Sequence, residues 1–169
     1  MGYSEPGAGS DLASLSTQAE MVGDEYLING RKTWTSDAMD CDYIFVLART
    51  NDDKPKHQGI SLILVDMDQP GVKIHPIRLL SGASPFNETL FENAHADLED
   101  VVGGIDNGWS AGKRLLQFER STHAGINTSG SQGGRNSHDD TNEILLNYSP
   151  LQNNPRLPSI DLIWRPLCQ

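Results

Sequence analysis

Residues 15–34 read "LSTQAEMVGDEYLINGRKTW", and polar and apolar side chains alternate along them on both sides of "VGDE". A period of two residues is that of a strand with one face buried, and a Gly-Asp pair between two such runs is the turn of a hairpin. The segment predicts two antiparallel strands, and the neighbouring sequence extends the pattern. "DYIFVLART" (42–50), "ISLILVDM" (60–67), "VKIHPIRLL" (72–80) and "ETLFENAHADL" (88–98) are short runs rich in Val, Ile, Leu and Phe. Between them lie "NDDKPKHQG", "DQPG" and "SGASPFN", stocked with the residues that make turns. Strands at this spacing with no helical pattern between them predict a mainly β fold, an antiparallel β-barrel or sandwich.

The texture changes near Asn107. In "NGWSAGKRLLQFERSTHAG", Trp109, Leu115, Leu116 and Phe118 fall roughly at helical spacing, with Asn107 placed as an N-cap. One helix is expected there. Beyond it, "GINTSGSQGGRNSHDDTNE" is too poor in apolar residues to bury a core, and Pro150, Pro155, Pro158 and Pro166 interrupt the remaining apolar residues. The expected organisation is a β-domain over residues 1–103, a helical segment over 104–124 and an irregular, poorly ordered tail over 125–169.

Upstream of the hairpin, "YSEPGAGSD", Tyr3 to Asp11, is a loop, because its glycines lack a conformational preference and its proline lacks a backbone donor. Two readings stand open. Gly7, Ala8, Gly9 and Ser10 could curl successive N–H groups into a small anion-binding concavity suited to phosphate, or the run is an ordinary turn cluster. It matches neither the glycine pattern of a dinucleotide-binding strand-turn-helix nor that of a P-loop.

Composition bounds the rest. The 169 residues suit one domain, and the formal charge of −10 argues against nonspecific binding to nucleic acid or anionic membrane. Cys41 and Cys168 stand far apart, and His57, His75, His95, His123 and His138 form no metal-binding grouping, so no metal site is expected. No apolar run of membrane-spanning length and no cationic leader is visible, which makes the cytoplasm the expected location.

Three segments in order resemble one family, the acyl-CoA dehydrogenases. "YSEPGAGSD" resembles its (T/S)EPxAGSD signature and "NGRKTWTSDA" its NGxKxW(I/T)(T/S) segment. "LEDVVGGIDNGW" followed by "LLQFERS" resembles its approach into the carboxyl-terminal helices. The match runs from about Met1 to Ala124, the family's middle β-domain and the start of its last helical domain. The resemblance implies FAD as cofactor, an acyl-CoA substrate, an electron-transfer acceptor, a homo-oligomeric assembly, and the mitochondrial matrix as the eukaryotic location. It implies that Tyr3 and Ser4 meet the flavin edge, and that Ser10 lies at the FAD pyrophosphate or beside the acyl-CoA. Trp34 would pack on the isoalloxazine, with Thr35 and Ser36 among the cofactor contacts and Ser36 near N5. Periodicity alone favours a core role for Trp34.

The family's reaction is α,β-dehydrogenation of an acyl thioester, in which a carboxylate takes the α-proton while the β-hydrogen leaves as hydride. The usual YEG-type motif does not follow Gly125. Some members carry the base in an LxxER context, which "LQFERS" matches, so the resemblance makes Glu119 the catalytic base and Arg120 a residue near the acyl chain. A solvated helix carboxylate beside a structural arginine is the plain alternative. The loop "SGASPFNETLFE" does not show the family's GxRxSxT pattern. The family's amino-terminal helical domain is expected to be missing and the tail to be divergent, as in a truncated or frameshifted frame. Alternatives to the dehydrogenase reading are a noncatalytic remnant or interaction module with the same β fold, and a related acyl-CoA oxidase or flavin monooxygenase.

Overall fold

The computed structural model describes residues 1–126, with side chains to residue 117. The predicted tail over 125–169 falls almost wholly outside the described residues. Seven strands form, β1 (Gln18–Val22), β2 (Glu25–Ser36), β3 (Tyr43–Arg49), β4 (Ile60–Asp66), β5 (Val72–Ile77), β6 (Phe86–Asp97) and β7 (Val101–Val102), followed by one helix, α1 (Gly108–Ile126). The β1–β2 hairpin closes over two residues, pairing Val22 with Glu25, and Gly23 takes a φ of 67° there. That left-handed turn matches the twist of the strands it joins.

The strands hydrogen-bond in the order β5-β6-β2-β1-β3-β4-β7. Every pairing is antiparallel except that of β1 with β3, a single parallel register at Gln18 and Arg49. Among the described residues the sheet does not close into a barrel, since β5 and β7 end the order at opposite edges. It curls instead. Ile63 and Val65 of β4 join Phe91, Ala94 and Ala96 of β6 in one buried cluster, although three strands separate β4 from β6 in the hydrogen-bonded order. This is the sandwich form of the predicted architecture.

The expected one-sided burial does not extend to β3 and β4, where Ile44–Ala48 and Ile60–Val65 are buried without alternation. A strand with both faces covered reads as a continuous apolar run. One face meets the curled sheet. The other meets a second cluster in which Phe45, Leu47, Ile60, Leu62 and Leu64 pack with Tyr3, Ala8, Ala13 and Leu15 of the amino-terminal segment and Ala111 of α1.

The helix is aimed by its start. Asp106 accepts hydrogen bonds from Thr50 Oγ1 at 2.6 Å and Lys54 Nζ at 2.8 Å, and donates its amide to Ser61 Oγ at 2.8 Å. Partial burial opposes ionisation of Asp106, but Lys54 and Thr50 outweigh it and hold the carboxyl below the usual range. The His57 ring stands edge-on to Trp109 with centroids 4.7 Å apart, so the loop between β3 and β4 grips the first turn from outside. Asn107, expected as a cap, donates its side-chain amide to the Gly103 carbonyl. Gly108 lies so close to β4 that a Cβ there would stand 2.1 Å from the Leu62 amide nitrogen.

This packing leads to two expected outcomes. Gly108→Ala is expected to destabilise the fold by more than the few tenths of a kcal/mol typical of a surface change, because the backbone of β4 cannot retreat. Phe91→Ala, at a side chain with 1% exposure, is expected to cost about 3–5 kcal/mol. Urea denaturation of both variants measures the losses.

Candidate functional site

The opening loop is a tight turn laid across β2. Glu5 and Ala8 exchange both backbone hydrogen bonds across Pro6 and Gly7, at 2.9 and 3.1 Å. One of the amides that an anion-binding concavity would use, that of Ala8, therefore closes the turn itself. Gly9 and Ser10 follow at the surface.

The side chain of Glu5 turns inward. Its Oε1 accepts from Lys32 Nζ at 2.8 Å and from the Thr17 amide at 2.9 Å, while Oε2 accepts from the Ser16 amide and hydroxyl, each at 2.7 Å. Lys32 Nζ also donates to the Tyr3 carbonyl at 3.2 Å. Relative exposure is 0% for Lys32 and 6% for Glu5, so the pair lies inside the fold. Burial opposes the charge of Glu5, but the charge and hydrogen bond of Lys32, with the bonds from Thr17 and Ser16, outweigh it and lower the carboxyl from 4.5 to about 2. For Lys32 burial wins, and the ammonium falls from 10.5 to about 8 despite Glu5.

Next along β2, the Thr33 amide donates to the Ser4 carbonyl at 2.8 Å. The ladder between β2 and β6 shifts register between Lys32 and Thr35, which leaves Thr33 and Trp34 in a bulge. Trp34 adopts φ 62°, a left-handed backbone unusual for a bulky residue. Its ring stands edge-on to Phe86, with centroids 6.0 Å apart and planes at 77°, and is 57% exposed. Trp34 is therefore not a core side chain.

The residues named from sequence separate into two groups. Ser4 is half-buried, and Trp34, Ser36 and Ser10 are exposed; of these, Ser4 and Trp34 are tied together by the bond between Ser4 and Thr33. Tyr3 and Thr35 have buried side chains. The Tyr3 hydroxyl donates to the Gly112 carbonyl of α1 at 3.3 Å, and Thr35 accepts at its carbonyl from Asn87 Nδ2 at 3.2 Å. Strand alternation resumes after the bulge and turns Thr35 inward between its exposed neighbours. The side chains of Tyr3 and Thr35 are thus committed to the interior. Glu119 and Arg120 lie on α1, and their side chains fall outside the described residues.

The Glu5–Lys32 pair had a signal in the sequence. Lys32 is in phase with Tyr26 and Ile28 on the buried face of β2, and a lysine in that phase needs an acid beside it.

The three segments singled out in the sequence thus meet in space: the opening loop, the end of β2, and α1 through Tyr3. A family model of the acyl-CoA dehydrogenase middle domain matches residues 1–94. The chain belongs to the acyl-CoA dehydrogenase family. Acyl-CoA dehydrogenase IpdE1 of Mycobacterium tuberculosis is 50% identical over 131 residues, which cover 78% of this chain and 33% of that relative. Among solved structures, the Tcur3481-Tcur3483 steroid ACAD superposes with a TM-score of 0.62 at 33% identity, over 89% of this chain and 42% of that one. The ChsE4-ChsE5 complex from Mycobacterium tuberculosis gives a TM-score of 0.62 at 30% identity, over 89% and 42%. The chain spans about a third of the length of the IpdE1 acyl-CoA dehydrogenases it matches. Among the described residues no helix is long and apolar enough to cross a membrane.

Removing one partner of the buried pair leaves the other charge uncompensated, so Glu5→Ala or Lys32→Ala is expected to cost about 3–5 kcal/mol. The folded Glu5 carboxyl lies below its ordinary value, so the unfolded chain binds the extra proton. The stability contributed by Glu5 is thus complete above about pH 4.5 and falls away as pH drops toward about 2. Denaturation curves at pH 7 and pH 3 should show this loss in the parent chain and a smaller one in Glu5→Gln.

Proposed function

We propose that this chain forms the flavin-facing wall of an FAD-dependent acyl-CoA dehydrogenase, with Trp34 as the platform for the isoalloxazine and Ser4 and Ser36 as polar contacts at its edge. The observation that carries the reading is Trp34 itself. A tryptophan in a sheet ordinarily gains stability by burial, yet this one is turned out of the core by a left-handed backbone and stays 57% exposed. Such backbone strain costs on the order of 1–3 kcal/mol and concentrates where a ligand is held. The donor set suits a flavin: a flat ring for dispersion, with hydroxyl groups on adjacent stretches of chain that can donate or accept at a polar ring edge.

When bound, the flavin supplies the hydride acceptor. The chain supplies orientation and proton transfer. Trp34 fixes the ring plane, Ser10 lies toward the pyrophosphate or the acyl-CoA, and Thr35 and Tyr3 contribute through their main chain. Glu119 on α1 acts as the base, its carboxylate oxygen taking the α-proton of the acyl thioester, and Arg120 stands beside the acyl chain. A base of this kind works best in a site dry enough to raise its pKa toward the working pH. The activity belongs to a homo-oligomeric, cytoplasmic assembly that passes electrons to a separate acceptor. One structural relative is described as a steroid ACAD, so bulky polycyclic acyl-CoA esters head the substrate panel, with branched and long-chain esters after them.

A platform this exposed covers one face of the ring, so the 169-residue chain is expected to bind FAD weakly and to turn over no acyl-CoA by itself. Losing about 4 kcal/mol of contacts weakens binding about a thousandfold. Flavin fluorescence titration tests the site: Trp34→Ala should weaken binding about tenfold or more, as the loss of a stacking surface does. Dye reduction with the ester panel tests the rest. Turnover by the isolated chain would reject the expected inactivity, and its abolition in Glu119→Gln would support the assignment of the base.

A further inference from the structure

We infer that Lys32 is a positioning residue for the flavin-facing surface: its buried ammonium, held by Glu5, fixes the Tyr3 carbonyl and thereby sets where Ser4 stands relative to Trp34. The purpose assigned to this placement rests on the flavin reading above, whereas the placement itself rests on geometry.

Three successive residues of the opening loop meet two successive residues of β2. Lys32 Nζ reaches the Tyr3 carbonyl at 3.2 Å and Glu5 Oε1 at 2.8 Å, and between them the Thr33 amide reaches the Ser4 carbonyl at 2.8 Å. These contacts fall where β2 leaves its register with β6, between Lys32 and Thr35. There the loop takes up the bonding that the ladder gives up. Trp34 is the next residue, held at φ 62°. Glu5 is in turn anchored by the amides of Ser16 and Thr17, at 2.7 and 2.9 Å, so the lysine is located against a third segment as well. An apolar side chain of similar length could fill the same volume. It could not hold the Tyr3 carbonyl, and Ser4 and the bulge would then be held to each other by the Thr33 amide alone.

A stabilising pair and a positioning pair differ in what their replacement changes. Exchanging both partners of a buried ion pair for neutral groups of similar volume often leaves stability nearly unchanged, because no uncompensated charge remains. The decisive variant is therefore E5Q/K32M in the 169-residue chain. Gln at position 5 keeps one acceptor oxygen, for the Ser16 amide and hydroxyl, at the loss of the single bond from the Thr17 amide, and Met at position 32 keeps the volume. The expected result is a denaturation midpoint close to that of the parent, hydrogen exchange at the Thr33 amide accelerated at least tenfold while Val46 and Ile63 exchange as before, and FAD affinity reduced at least tenfold.

Thr33 exchange and FAD affinity both within twofold of the parent would overturn the inference. Faster Thr33 exchange with unchanged FAD affinity would also overturn it, since the placement would then serve no flavin contact. So would a uniform loss of protection across the sheet, which would mark a structural role alone. If FAD fails to bind the parent chain, the flavin reading falls, and Thr33 exchange alone decides whether Lys32 sets the placement. Should the double variant not fold, K32M supplies the same two measurements, since Glu5 keeps its bonds from Ser16 and Thr17, and unchanged values for both would reject the inference.

Discussion

The buried contact between Glu5 and Lys32 is the constraint on which the arrangement of this domain depends. A lysine with 0% exposure is tolerated in a protein interior only beside a compensating acid. Glu5 comes from a segment that main-chain bonds hold to the sheet at Gly2, which bridges β3, and at Ser4, which accepts from Thr33. By drawing that carboxylate under β2, the pair brings the loop across the sheet and places Tyr3 in the layer beneath α1. The buried pair thus joins the amino-terminal segment to the end of β2, beside the bonds of Gly2 to β3 and of the Tyr3 hydroxyl to the helix.

The central strands explain why the helix belongs to this unit. β3 and β4 are buried along almost their whole length, and a strand covered on both faces needs material on each side. The curled sheet supplies one cover. The other is built from the loop and the first turns of α1, with Gly108 permitting the closest approach and Asp106 fixing the direction. Residues remote from one another in sequence therefore share a single layer, and the segment that carries Glu119 starts from that layer.

Strain and exposure coincide at one place. Trp34 combines a left-handed backbone, a bulge and a mostly uncovered ring, and among the described residues the edge-on contact with Phe86 is the ring contact it makes. The neighbouring Thr35 obeys the ordinary alternation and is buried. Within two residues the strand separates an outward surface from an inward one, and this separation turns the order of residues in "KTWTS" into a candidate site.

Strand alternation, turn residues and ordered motifs made the mainly β fold, the hairpin, the helix after Asn107 and the family legible in the sequence, because each depends on neighbours close along the chain. The same local character explains what was not legible. Alternation forecast one buried face for β3 and β4, since the second cover comes from distant segments. It offered Trp34 as core, since a bulge that changes phase is created by pairing with β6. Motif resemblance grouped Tyr3 and Thr35 with the cofactor contacts, and only packing showed their side chains committed to the interior. Lys32 lay in the buried phase of its strand, so the sequence announced that an acid was needed. Which acid answers, and that its answer fixes the loop against the sheet, was decided by the tertiary structure, because an ion pair spanning the distance from Glu5 to Lys32 forms only when the intervening hairpin has folded.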